Sequence, residues 1–365
     1  MAKGIGASPF LGIHLSGWLD ALRRSGYRVD RQYVPHAAVI TVLAAHNVFL
    51  RSLVDVRFGR ALRQVRIEHP PIFIIGHWRS GTTYLHELLG LDPRHTYPTV
   101  YECTSPNIFV WEIPRIKALF GRSLPTKRPF DNMRWGFDAH GEDEFALCNM
   151  GVPSPYINMA FPNGALLYRE YLDLESLSDE EREAWKRALR TFVTQLTFIR
   201  PKRIVLKSPT HTFRIRTLLE VFPDALFVHV VRNPYEVFPS TVHLWRTCCQ
   251  SYGLQEPRLG SLEKCVYSTF LDMFAKLDET RPLVAPGRFH ELRYEDLCAD
   301  PVSVMAGLYD ALSLGGFDRV VPEIERHVAA TGDYQRNRYA MRPELVEEIG
   351  RRWGPIIERY GYSPP

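Results

Sequence analysis

The spacing of hydrophobic positions changes several times along the chain, and each change marks an element. Through Val34–Leu62 the residues Leu, Ile and Val recur at helical spacing, so a helix is predicted ahead of Pro70. Ile72-Phe-Ile-Ile75 is short and wholly apolar and runs into a glycine-containing turn, which predicts a buried strand followed by a helix start. Three more strands are predicted at 203–207, 225–231 and 289–294; the first two are rich in apolar or β-branched residues and the third alternates apolar with polar. Helical patterns at 179–198, 211–221, 234–248 and 262–277 lie between and around them. This alternation predicts an α/β fold: a parallel central sheet flanked by helices, of phosphate-loop (nucleotide-kinase-like) architecture, with ligands at the carboxyl ends of the strands. The expected division is a helical extension over 1–69 packed on a single α/β domain over 70–365.

Residues 99–171 resist this reading. They are rich in Pro, Trp, Tyr and Phe with little periodicity, and are expected to form loops and short helices around an acceptor pocket. With 45% apolar and 24% charged residues among 365, the chain has an ordinary globular composition, which excludes disorder. Its formal net charge of +4 is too small to argue for a nucleic-acid partner. Six cysteines without a C-x-x-C pair or zinc-finger spacing argue against a structural metal or a disulfide framework, and favour a reduced, cytoplasmic setting. The early apolar run 37–45 is bounded by His36 and His46 and falls short of the roughly 20 residues that a membrane span needs, so no transmembrane span is expected. Arg51, Arg57, Arg60, Arg63 and Arg66 are read as the solvated face of a packing helix, with peripheral membrane contact as the competing reading.

The chemistry is concentrated in Gly76-His-Trp-Arg-Ser-Gly-Thr-Thr83. Two glycines five apart between a strand and a helix form a phosphate-binding turn, where backbone amides and the helix dipole favour an anion. A nucleotide triphosphatase would carry lysine after the second glycine; here Thr82 and Thr83 follow Gly81, and the cation stands earlier, at Arg79. Lys207 is expected at the carboxyl end of its strand, beside this turn if the two strands are neighbours. Arg232 leaves the next strand, and Ser240 lies eight residues on in a helix opened by Pro234, a pair suited to a second phosphate.

These three motifs, in this order, resemble the sulfotransferases that use 3′-phosphoadenosine-5′-phosphosulfate (PAPS), chiefly the broad bacterial-type branch, with an arginine loop as in the tyrosylprotein sulfotransferases. The resemblance implies that Arg79, Ser80, Gly81, Thr82 and Thr83 hold the 5′-phosphosulfate of the donor, and that Arg232 and Ser240 hold its 3′-phosphate. By the same resemblance, Lys207 reaches the bridging or sulfuryl oxygens and Tyr84 lies near the adenine. Gly332-Asp-Tyr-Gln-Arg-Asn337 echoes a late nucleotide-closing segment, which makes Arg336 and Arg338 further candidates for the 3′-phosphate. In-line transfer would then proceed without a metal, Arg79 and Lys207 stabilising charge on the leaving phosphate.

The general base is open on sequence grounds. Glu102 is placed first; His211 and the cluster Glu142, Asp143 and Glu144 are the alternatives. The acceptor, a small molecule, lipid or carbohydrate with a hydroxyl or amine, is not identified, nor is the oligomeric state. The competing functions are a phosphate-loop small-molecule kinase and a non-catalytic protein binding nucleotide or a membrane surface.

Overall fold

The computed structural model describes residues 8–111, 136–331, 339 and 341–365. Its centre is a five-stranded, all-parallel sheet in the order β2-β3-β1-β4-β5: β1 is Ile72–Ile75, β2 His95–Thr96, β3 Arg203–Lys207, β4 Leu226–Val231 and β5 Phe289–Arg293. The pleat sends alternate side chains of β1 to opposite faces. Phe73 and Ile75 join one apolar cluster with Leu206 and Phe227, while Ile72 and Ile74 join a second with Val205 and Val228. Helices cover both faces, so β1 and β4 are buried along their whole length and, His229 apart, apolar, as a parallel sheet requires.

The second cluster is closed by Leu85, Leu88 and Leu89 of the Thr82–Gly90 helix and by the later helices Pro301–Ala311 and Val321–Thr331. The first is larger and takes in Trp18 of α1 (Leu15–Arg24) and Ile40, Ala44 and Val54 of α2 (Val34–Leu62), so these two helices share a core with the sheet.

Several predicted boundaries move for identifiable reasons. The helix expected over 211–221 is two pieces, a 3₁₀ segment Pro209–Phe213 and a helix Ile215–Val221, broken at Arg214. The buried Arg214 guanidinium bonds the carbonyls of Tyr171 and Leu172 as well as a carboxylate, and this tertiary demand interrupts the local period. The edge strand β2 is only two residues and has no apolar run to announce it. Residues 99–171 contain the helices Val100–Thr104 and Asp143–Asn149 and several 3₁₀ turns.

The expectation that the early apolar segment is too short to span a membrane needs correction. The helix does not stop at His46: α2 has 29 residues, and Arg31–Leu62 is long and apolar enough by length and composition to cross, its most apolar 18-residue stretch having a mean hydropathy of 1.7 with 22% of it buried. It lies against the core along one side, through Ile40, Ala44, Asn47 and Val54.

Candidate active site

Parallel pairing brings three chemically loaded strand ends together. β1 lies between β3 and β4, with Ile74 opposite Lys207 and Ile75 opposite His229. The glycine loop, Lys207 and Arg232 therefore emerge side by side at the carboxyl edge. The loop is anchored from β3's side, where the Gly76 amide donates to Thr212 Oγ1 at 2.8 Å. Gly81 has φ +96°, and a Cβ there would sit 2.0 Å from the Tyr294 ring, so only glycine fits the turn. Arg79 takes a left-handed φ of +70°, a strained conformation of the kind that collects at ligand-binding loops. The buried Ser80 hydroxyl has no hydrogen-bond partner among the described residues, and the first amides of the Thr82–Gly90 helix have no carbonyl one turn back. A buried orphan hydroxyl beside open amides is a cradle suited to an anion.

The cationic side of the cradle is one connected group. Arg79 Nε donates to Ser240 Oγ at 2.9 Å, Arg232 Nη1 donates to the Arg79 carbonyl at 2.9 Å, and the Arg232 guanidinium lies 4.5 Å over the Tyr294 ring. Glu236, one turn along the Pro234–Tyr252 helix, pairs with Arg232 at 2.5 Å. These residues fit a donor carrying two separate phosphate groups. Tyr84 stacks on His327, with 6.4 Å between ring centroids. Arg336 and Arg338 lie outside the described residues.

The acidic triplet pairs in order with three basic side chains, Lys207 at the end of β3 and His211 and Arg214 after it. An isolated bridge between Thr99 and His140 carries the triplet to the sheet edge. Glu142 Oε1 meets Lys207 Nζ at 2.5 Å, Asp143 Oδ2 meets His211 Nε2 at 2.5 Å, and Glu144 meets Arg214 in a bidentate pair. Exposure sorts the three. The Asp143–His211 and Glu144–Arg214 pairs are sealed, with side chains at most 1% exposed, whereas Glu142 keeps 24% of its side chain open to solvent. Glu142 Oε2 also accepts from the Tyr156 hydroxyl at 2.6 Å, and that hydroxyl accepts from Trp78 Nε1 at 3.1 Å.

Glu102, first among the base candidates, is committed elsewhere. It closes a capping box with Thr99, and both of its oxygens receive the Arg200 guanidinium, at 2.7 and 2.8 Å. His211 is fully buried, edge-on to Phe73 at 5.2 Å between ring centroids and bonded to Asp143. Of the proposed bases, Glu142 alone touches Lys207 and faces solvent. Tyr156, Trp78 and Trp245 form an aromatic wall beside it that no sequence motif announced.

Burial sets the acid response of this region. His77 is pushed down to about 4 by burial, which outweighs the bond its Nδ1 donates to the Trp78 carbonyl. Burial raises Asp143 and Glu144, but His211 and Arg214 respectively outweigh it, and both carboxyls end below their ordinary values. The unfolded chain protonates His77 below pH 6.5 whereas the folded chain does so only near 4, so stability falls across that window by on the order of 3 kcal/mol. The depressed carboxyls stabilise the fold above their unfolded values, and that contribution is lost as the pH falls further. Thermal melts are therefore expected to hold steady above pH 6.5 and drop below it, with His77→Gln flattening the upper part of the decline; a constant melting temperature from pH 7.5 to 4.5 would contradict this.

Comparison with known proteins bears on the family and the fold. The sulfotransferase family model matches residues 70–319. The chain is 45% identical over 357 residues to the omega-hydroxy-beta-dihydromenaquinone-9 sulfotransferase Stf3 of Mycobacterium bovis and to that of Mycobacterium tuberculosis, covering 97% of this chain and 91% of each relative. The crystal structure of sulfotransferase STF9 from Mycobacterium avium superposes with a TM-score of 0.68 at 19% identity, covering 95% of this chain and 96% of that one, which shows the shared fold. On the family match and the 45% identity, the chain belongs to the sulfotransferase family and is a sulfotransferase.

Proposed function

We propose that the enzyme transfers a sulfuryl group from PAPS to a hydroxyl on a long apolar lipid of the dihydromenaquinone type, in line and without a metal. The observation that carries the mechanism is the meeting of the glycine loop, Lys207 with Glu142, and Arg232 at three adjacent strand ends. PAPS supplies an activated sulfuryl group on its 5′-phosphate. The loop amides, Ser80, Thr82, Thr83 and Arg79 hold that end, and Arg232 with Ser240 holds the 3′-phosphate. Lys207 stabilises charge on the leaving phosphate as its S–O bond breaks. Glu142 takes the proton of the acceptor hydroxyl as the new O–S bond forms.

The lipid acceptor is supported by the 45% identity to the menaquinone enzymes and by the aromatic wall of Trp78, Tyr156 and Trp245 next to Glu142. We read residues 70–365 as the catalytic domain and 1–69 as an extension, in a cytoplasmic setting in keeping with the cysteine spacing.

Incubation with ³⁵S-labelled PAPS and a panel of a hydroxylated menaquinone, a phenol and a sugar tests the reading. Label is expected on the quinone and is expected to persist in EDTA. Label on the sugar or phenol alone would replace the acceptor, and loss of all transfer on chelation would contradict the metal-free step.

A further inference from the structure

One feature of the molecule is used neither by the core nor by the active site: the outer face of α2. This helix is apolar on nearly all sides, which at the surface leaves part of its apolar face without a partner among the described residues. Val34, Ala38, Val42, Ala45, Phe49 and Val56 are all exposed. At 3.6 residues per turn they fall within about 80° of arc, a stripe roughly 33 Å long. The large members are strongly exposed: Val42 at 69%, Phe49 at 59% and Val56 at 87%. A stripe of this length is more than the scattered apolar residues of an ordinary surface.

The charges indicate the occupant. Arg60 and the capping Arg63 continue the same stripe towards the carboxyl end of the helix, Arg57 flanks it and Arg66 follows just past the helix end, all exposed. Asp55 is turned off the stripe and pairs with Arg51 at 3.1 Å. An apolar stripe ending in arginines without an intervening carboxylate complements acyl chains bordered by anionic headgroups. A second copy of the chain would bring the same stripe and no carboxylate on it to meet the arginines.

The contacts on the inner side set the orientation. Asn47 Nδ2 donates to the carbonyls of Leu11 and Ile13 at 3.0 and 3.1 Å, and Trp18 Nε1 donates to Thr41 Oγ1 at 2.8 Å. Crossing a bilayer would break these bonds and strip Ile40, Ala44 and Val54 from the core. Lying in the plane of the interface keeps them and buries only the outer stripe. We propose that the exposed stripe of α2 docks the enzyme flat on an anionic membrane surface, with Arg57, Arg60, Arg63 and Arg66 meeting lipid headgroups. The proposal does not rest on the acceptor: an enzyme acting on a water-soluble hydroxyl would bind vesicles equally well, so the two can fail separately.

Co-flotation of the full chain with vesicles tests it. Binding to 4:1 phosphatidylcholine:phosphatidylglycerol vesicles is expected to exceed binding to pure phosphatidylcholine by roughly tenfold and to weaken as salt rises. Phe49→Glu with Val56→Glu is expected to abolish binding to both vesicles, and Arg60→Glu with Arg63→Glu to remove only the preference for phosphatidylglycerol. Unchanged circular dichroism melts and adenosine 3′,5′-bisphosphate affinity would show that each variant folds. The proposal is overturned if the wild-type chain binds neither vesicle, if the doubly acidic variant floats like wild type, or if the chain resists alkaline carbonate extraction and so crosses the bilayer. It is equally overturned if light scattering shows a dimer, dissolved by Phe49→Glu with Val56→Glu, that ignores lipid.

Discussion

Glu142→Gln is expected to lower turnover by roughly 10²- to 10⁴-fold, the usual contribution of a positioned general base, while leaving adenosine 3′,5′-bisphosphate affinity unchanged. Glutamine keeps the size of the side chain and can still bond Lys207, so the change isolates the loss of proton acceptance. Glu102→Gln is the necessary contrast. Glu102 caps its helix and receives both ends of the Arg200 guanidinium, so its replacement is expected to cost stability and little turnover. Single-turnover kinetics with labelled PAPS separates the two; collapse of the chemical step in Glu102→Gln with Glu142→Gln active would return the base to Glu102.

The second large effect is on folding. Arg214→Met is expected to destabilise the protein by about 3–5 kcal/mol, because it leaves Glu144 as a buried charge without its partner. Glu144 would retain the hydroxyls of Ser154 and Thr210, at 2.5 and 2.9 Å, which soften the loss without neutralising the charge. The Arg214 side also makes three bonds to the Tyr171 and Leu172 carbonyls and lies 5.0 Å from the Trp185 ring, so the variant loses packing of the middle region as well. Calorimetry is expected to show a melting temperature lower by roughly 4–7 °C. Removing both charges in Arg214→Met with Glu144→Leu is expected to recover part of it. A single variant melting within a degree or two of wild type would mean that Glu144 does not depend on Arg214.

These two predictions assign opposite expected roles to neighbouring carboxylates that local sequence does not separate. Glu142, Asp143 and Glu144 are consecutive, all acidic and all near the start of one short helix. Their partners Lys207, His211 and Arg214 stand more than sixty positions later. What distinguishes Glu142 is exposure and contact with Lys207, and both arise only when the Thr99 to His140 bridge brings the triplet to the sheet edge. Glu102 stands first on sequence because a glutamate in a helix's first turn and a catalytic glutamate are the same letter; its capping box and Arg200 pair form only in the fold, and they are the reason we propose Glu142 instead.

The strands and the anion loop were legible because their causes are local. A buried parallel strand needs an uninterrupted apolar run, and a phosphate-binding turn needs glycines where φ is positive, so Ile72–Ile75 and Gly81 carry their roles in their own residue types. The sulfotransferase family was legible for the same reason, since its motifs are strand ends whose order along the chain survives folding. The long helix α2 was visible as a period, but not which of its sides would be covered: that depends on where α1 and the core lie against it, and it leaves Val42, Phe49 and Val56 facing outward. Sequence by itself determined four of the five strands, the loop and the class of chemistry, because each follows from residues adjacent in the chain, whereas the two-residue edge strand β2 forms only by pairing with β3. The tertiary structure alone decided which carboxylate faces Lys207, which are locked into the core and which helix face is left open, because burial and pairing are properties of residues that meet only after folding.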